Sequence, residues 1–201
     1  VGEDLKASAA RLLMAPAAEP ISLAEAITHL RAVAGQEDDL IQALVQAARE
    51  HVEDRTGRRL ITQAWTGLYP RFPSDAAGLE LPGPPLQSVE AIRYTVRDGT
   101  QSTLAPAVYA VDADSEPGRV LLKPDQAWPT DELRDPHPVE VDFTAGYGDA
   151  GSDVPSALRS YMKLLVGALY ENRESVVTGM IVAEIGIADS LLVPYRVFWP
   201  A

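Results

Sequence analysis

The chain of 201 residues contains no cysteine. That removes disulfides, thiolate nucleophiles and thiolate metal sites together, and it suits a reducing compartment. Histidine is scarce as well. His29, His51 and His137 lie far apart in sequence, and no HExxH spacing links any two of them. The start of the sequence carries neither the basic region nor the apolar run of a signal peptide. No window approaches the roughly 18 uninterrupted apolar residues of a membrane span. Bases are few against acids, 17 to 29, for a net charge of −12. Such a surface gives up the counterion release that drives most nucleic-acid binding. Residues 110–153 concentrate the imbalance, with eleven acids and three bases. Nucleic acid is therefore expected to pass this protein rather than adhere to it.

Recognised chemical signatures are missing too. The glycines of AGYGDAGSD, Ala145–Asp153, sit between a strand and a helix, where an anion loop belongs. They match neither GxGxxG nor a P-loop, and Asp149 and Asp153 would repel phosphate. DADSEPG, Asp112–Gly118, has acids in a turn but lacks the twelve-residue spacing and closing glutamate of a calcium loop. No GxSxG elbow is present. Neither a catalytic constellation, a metal site nor a cofactor is expected.

What is present is ordinary globular material, 46% hydrophobic and 23% charged, punctuated by 16 prolines. Residues 1–20 are alanine-rich and read either as a short helix or as an arm. In ISLAEAITHLRA, Ser22 with Glu25 forms a capping box that opens a helix. Leu23, Ile27 and Leu30 mark its apolar face, and Gly35 is expected to close the unit. A second helix of about five turns starts at Glu37-Asp38-Asp39, where the macrodipole favours acids. Leu40, Leu44, Ala48 and Val52 define its stripe, with Ile41 and Val45 beside them. Arg49 and Glu53 make an attractive i,i+4 pair, and Gly57 is the expected C-cap.

From Leu60 the period changes from helical to alternating. LITQAWTGLY, VEAIRYTV, VYAVD, RVLLKP and VEVDFTAGY read as strands, LELPGPPL as a proline-blocked corner, and Asp98-Gly99 as a hairpin turn. The expected architecture is α+β: a helical core of three main helices, one small inserted antiparallel sheet and an extended C-terminal tail. The third helix opens near Pro155, which loses nothing by lacking an N–H in the first turn. Leu158, Met162, Leu165 and Leu169 repeat along it, and Tyr161, Leu164 and Ala168 widen the stripe beyond what one partner requires. Met180–Ala201 is oily as well, charged only at Glu184, Asp189 and Arg196. Apolar surface in excess of what one core can hide points to assembly. Arg55, Arg58 and Arg59 form a compact basic group at the end of the second helix. Either the helix C-terminus explains them, or they reach acids of a neighbouring subunit.

Three segments in this order, ISLAEAITHLRA, AREHVEDRTGRRLITQAW and VPSALRSYMKLLVGALYENRESV, with LPGPPLQSVEAIRY and FTAGYG between them, carry a resemblance over roughly residues 20–195. The sequence resembles the head–tail connector, or adaptor, proteins of long-tailed bacteriophages and of phage-like gene transfer particles. The resemblance implies a non-enzymatic structural protein with no cofactor. It implies a ring of twelve copies beneath the portal, extending the DNA channel and docking the next neck or tail protein. DNA would cross the channel without specific binding, and no membrane is involved. The location implied is the neck of a virion or phage-like particle, assembled in the bacterial cytoplasm. The implied division is an N-terminal arm at 1–20, two core helices at 21–59, an inserted β region at 60–148, a third helix at 149–173 and a portal-binding tail at 174–201. Carried onto this tail, the portal anchors are Leu191, Leu192, Tyr195, Val197, Phe198 and Trp199. The inter-subunit candidates are Arg55, Arg58, Arg59, Tyr161, Leu164 and Ala168. Two other readings stand beside this one: another neck ring such as a stopper or tail terminator, and a small soluble enzyme or ligand-binding module.

Overall fold

The computed structural model describes residues 4–74, 77–172 and 189–197. The chain divides into two compact units, one of Val1–Ala15 with Thr62–Gly146, the other of Pro16–Ile61 with Tyr147–Ala201. The mixed α+β class is as expected.

The first unit is all β. Its strands are β1 (Leu5–Lys6), β2 (Ala9–Met14), β3 (Gln63–Tyr69), β4 (Leu79–Leu81), β5 (Leu86–Thr95), β6 (Gln101–Thr103), β7 (Tyr109–Asp112), β8 (Gly118–Leu122) and β9 (Val139–Ala145). The single small sheet expected from the sequence is corrected to two. A four-stranded sheet runs β1-β4-β8-β7 and a five-stranded sheet runs β2-β3-β9-β5-β6. All pairings are antiparallel except β1 with β4, which is parallel. Both sheets contribute to one apolar cluster that includes Tyr69, Leu79, Leu81, Ile92, Val120 and Phe143. In β9 the alternation holds as read: Val139, Val141 and Phe143 are buried, while Glu140 and Asp142 stay half-exposed. The β5–β6 hairpin turns at Asp98-Gly99, where Gly99 adopts φ 94° and Asp98 Oδ1 accepts the Thr100 N–H at 2.7 Å.

The helix alternative for residues 1–20 is also corrected. Ala9–Met14 is the edge strand β2, paired with β3. LELPGPPL contains a real strand, β4, ahead of its prolines. The DADSEPG turn is held by ordinary polar contacts. Asp112 accepts from Ser115 Oγ and from Arg119 Nη2 at 2.9 Å, and these bonds, the serine's foremost, lower its carboxyl to about 2.

The second unit is helical: α1 (Leu23–Leu30), α2 (Asp38–Thr56) and α3 (Ser156–Glu171), with short 3-10 turns at Gly151–Asp153, Asp189–Leu191 and Val193–Tyr195. The capping box at α1 is formed, Glu25 N–H donating to Ser22 Oγ at 3.2 Å and Ser22 N–H to Glu25 Oε2 at 3.0 Å. The same carboxylate accepts Arg159 Nη2 at 2.6 Å and Lys163 Nζ at 3.1 Å, so the cap of α1 also fastens α3. The helix stops earlier than Gly35. Arg31 takes the left-handed position with φ 54°. On α2 the buried apolar residues are Ile41, Val45, Ala48 and Val52, whereas Leu40 is 38% exposed. Ala48 and Val52 are buried as read, but the first half of the stripe lies on Ile41 and Val45, with Leu44 only partly buried against the core. Its core continues into Leu158, Tyr161, Met162 and Leu165 of α3.

Candidate assembly surfaces

The basic group at the end of α2 begins with a local problem of chain reversal. Gly57 adopts φ 72° and ends the helix, its N–H reaching the Glu53 carbonyl. Thr56 Oγ1 donates back to the Val52 carbonyl at 2.7 Å and accepts the Arg58 N–H at 3.3 Å. Glu53 is buried, and its Oε1 accepts the Leu60 N–H at 2.9 Å. Its other oxygen faces Arg49 Nη1 at 3.4 Å and Arg59 Nη1 at 3.8 Å. Arg49 in turn donates to Glu19 at 2.9 Å. A buried carboxylate persists only when paired and hydrogen-bonded, and Glu53 is both. The ordered residues Glu53, Thr56, Gly57, Arg59 and Leu60 are therefore one corner-forming device.

The three arginines are put to use within the subunit. Arg55 Nη2 donates to Asp189 Oδ2 at 2.6 Å. Arg58 is buried, donates Nε to the Tyr195 carbonyl at 2.6 Å and stands 6.0 Å from the centre of the Tyr147 ring. Arg59 serves Glu53; burial pulls its pKa down while the Glu53 charge opposes this. Two of the three thus hold the segment Asp189–Val197 against the helical core. The Val197 N–H completes the attachment, donating to the Thr56 carbonyl at 2.8 Å.

Asp189 is the polar centre of this attachment. Besides Arg55 it accepts the Tyr161 hydroxyl at 3.1 Å, and Arg196 Nη2 lies 4.0 Å away. Burial pushes the Asp189 carboxyl up, yet Arg55 and the Tyr161 hydroxyl outweigh that and hold it below its usual range. Burial, reinforced by the Asp189 charge, raises the Tyr161 phenol to about 12. The ring of Tyr161 stacks near-parallel on His51, 7° between planes with centroids 6.3 Å apart.

The residues expected at interfaces are thus distributed unevenly. Tyr161 is buried in its own subunit, Ala168 is half-exposed and Leu164 is 48% exposed. Of the tail anchors, Leu192 is fully buried in the subunit's own helical core, with Leu191 and Tyr195 packed against that core. Val197 is half-buried, and Phe198 and Trp199 lie outside the described residues. An extended course for the whole tail is corrected over Asp189–Val197, which forms two 3-10 turns. Exposed apolar side chains that the sequence reading passed over are Val193, at 52%, and Leu12, Leu13 and Met14 on β2, at 45–65%. The β2 edge was missed because Ala, Arg, Leu and Met are helix formers; only its pairing with β3 makes it a strand. Among the described residues, no group of three or more acids and histidines is placed to hold a metal ion, and no helix is long and apolar enough to cross a membrane.

Residues 20–103 match the family model described as phage gp6-like head–tail connector protein. The comparison with curated proteins finds no match. Among solved structures, the fold is similar to a chain of the virion of a native gene transfer agent particle, at 23% identity and a TM-score of 0.77, covering 96% of this chain and 97% of that one. It is similar to a chain in the neck of an empty gene transfer agent particle computed with C6 symmetry, at 23% identity and a TM-score of 0.76, with the same coverage. It is also similar to one in the neck of a native particle computed with C12 symmetry, at 22% identity and a TM-score of 0.71, covering 95% and 97%. The family model thus shows a likeness of residues 20–103 to head–tail connector proteins, and nearly the whole chain shares its fold with a gene transfer agent particle chain.

Proposed function

We propose that this protein is a structural adaptor of the head–tail junction in a phage-like particle. It forms a ring, of twelve copies, between the portal and the next neck or tail protein, and it performs no chemistry. The observation that carries this reading is the family match over residues 20–103 together with a shared fold along 96% of the chain with a gene transfer agent particle component. The acidic balance of −12 supports a channel that DNA crosses without adhering.

The tail takes a divided role in this proposal. Leu192 is the internal plug that seats the segment, and Arg55 and Arg58 are its clamps. Leu191, Tyr195, Val197, Phe198 and Trp199 are the portal-facing set. Leu164 and Ala168 of α3 lie between neighbouring copies. Removal of residues 198–201 tests the tail: the shortened chain keeps its fold and loses co-sedimentation with purified portal rings. Undiminished co-sedimentation would refute the tail assignment. Electron microscopy of the native particle tests the whole reading, and density for this chain anywhere but the neck would refute it.

A further inference from the structure

Each sheet of the β unit has one long and one short edge strand. In the five-stranded sheet they are β2, of six residues, and β6, of three. In the four-stranded sheet they are β7, of four residues, and β1, of two. Only residues 7 and 8 separate β1 from β2, and only residues 104–108 separate β6 from β7. Strands β1 and β2 therefore share one end of the unit, and β6 and β7 share the other. The two long edges, β2 and β7, stand at opposite ends.

Both long edges are open. All six residues of β2 are exposed and five are apolar, with Leu12 at 45%, Leu13 at 51% and Met14 at 65%. Ala110 and Val111 of β7 are exposed as well. An edge of this kind offers unpaired backbone N–H and C=O groups to a second strand. The charges on the two edges are opposite. Arg11 is exposed in the middle of β2 and has no ion-pair partner among the described residues. Strand β7 ends in Asp112, which Ser115 and Arg119 keep ionised, and the exposed Asp114 follows it.

One antiparallel register satisfies both the apolar and the charged positions. It sets Arg11 opposite Asp112, Leu12 opposite Val111, Leu13 opposite Ala110 and Met14 opposite Tyr109. Opposed apolar pairs and opposed charges each favour strand pairing. Sliding by two residues one way sets Leu13 against Asp112, and sliding the other way leaves Leu13 and Met14 beyond the end of β7. A parallel pairing that keeps Arg11 opposite Asp112 sets Leu13 against Asp114. The competing edge β6, Gln101–Thr103, offers neither an apolar nor a charged match.

We infer that β2 of one copy pairs with β7 of the next copy in this antiparallel register, joining the five-stranded sheet of one to the four-stranded sheet of its neighbour. The two edges differ and lie at opposite ends of the unit, so the contact is head-to-tail and repeats from copy to copy, as a ring requires. The inference rests on the ring reading above and names a contact within it.

The lack of native cysteine gives the test a clean background. Leu12→Cys and Val111→Cys replace exposed side chains. Directly opposed Cα atoms of an antiparallel pair stand about 4.5–5.5 Å apart, a span that a disulfide bridges. The full chain carrying both substitutions is assembled with purified portal rings, sedimented, oxidised and run on a denaturing gel. The expected result is a ladder of covalent multimers beyond the dimer that collapses on reduction. Each single variant, and Leu12→Cys combined with Ser102→Cys on β6, should stay monomeric on the same gel. Co-sedimentation with the portal but no ladder overturns the strand pairing and leaves the adaptor reading standing. A ladder from the Ser102 combination, or dimers from Leu12→Cys alone, overturns it too, by giving β2 a different partner. Failure of the unaltered chain to co-sediment overturns both readings.

Discussion

Leu192→Ala is the most direct perturbation of the tail's attachment. Leu192 is fully buried, and it is the one side chain of Asp189–Val197 that sits inside the helical core. Truncating a buried leucine to alanine costs about 2–5 kcal/mol, the spread reflecting how far the site collapses. The lower end applies here, because a short segment can settle onto the gap. The remaining attachments act in parallel: the Arg55–Asp189 pair is half-exposed and contributes about 0–1 kcal/mol. The Arg58 bond to the Tyr195 carbonyl is charge-assisted and contributes about 1.5–3 kcal/mol. A loss of about 2 kcal/mol raises the open fraction of the segment by a factor of about 30. Amide exchange reads it at Val197, whose N–H is held by the Thr56 carbonyl at 2.8 Å. The internal control is the Leu60 amide, held by the Glu53 carboxylate at 2.9 Å. The expected outcome is faster exchange at Val197 with Leu60 unchanged. Equal acceleration at both would mean that the segment opens only with the whole helical unit, and no acceleration at Val197 would mean that Leu192 is not its plug. Either result refutes the division of the tail argued above.

Glu53→Ala leaves Arg49 and Arg59 without their shared carboxylate and the Leu60 N–H without an acceptor; urea titration is expected to show a loss of about 3–5 kcal/mol. A loss under about 1 kcal/mol would refute the corner mechanism. Leu164→Asp alters a half-exposed side chain, so the isolated chain should change by no more than about 0.5 kcal/mol. Sedimentation of the same variant should show ring formation lost, and normal rings would remove Leu164 from the interface. Glu25 titrates at about 2 in the fold, held down first by the Ser22 backbone N–H and then by Lys163 and Arg159, against a usual 4.5. A depressed carboxylate contributes its full stability above the unfolded value and loses it as pH falls toward the folded value. The loss should therefore fall between pH 4.5 and about 2, and Glu25→Gln should flatten it. Because the side chain is 36% exposed, the contribution is screened to about 1 kcal/mol at most. An unchanged acid limb in Glu25→Gln would refute the role given to this carboxylate.

Local signals made much of the fold readable, and their physics explains where reading stopped. The Ser22–Glu25 box, the Gly57 cap and the Asp98-Gly99 turn each rest on chemistry within a few residues, and all three appear where the sequence put them. Strands β3, β5, β7, β8 and β9 carried enough alternation or β-branching to stand alone. Strands β1, β2 and β4 did not, because two, six and three residues become strands only through partners distant in sequence. The second sheet cannot be inferred when two of its four members, β1 and β4, are that short. The first half of the α2 stripe was misplaced by one residue for a related reason: leucines at 40 and 44 and apolar residues at 41 and 45 make two adjacent faces of similar hydropathy. Only the position of α3 chooses between them.

The arginines illustrate the deeper limit. Arg55, Arg58 and Arg59 were visible as a group, with a helix C-terminus or a neighbouring subunit as the two explanations. Their partners are Asp189, the Tyr195 carbonyl and Glu53. Two of those partners are more than 130 positions away, and one is a backbone oxygen, which no residue pattern announces. The consequence reaches function. Arg55 keeps a 48% exposed side chain beside its Asp189 contact, whereas Arg58 is buried under the tail. Any inter-subunit use of Arg58 is therefore tied to release of Asp189–Val197, and the Val197 amide reports that release directly.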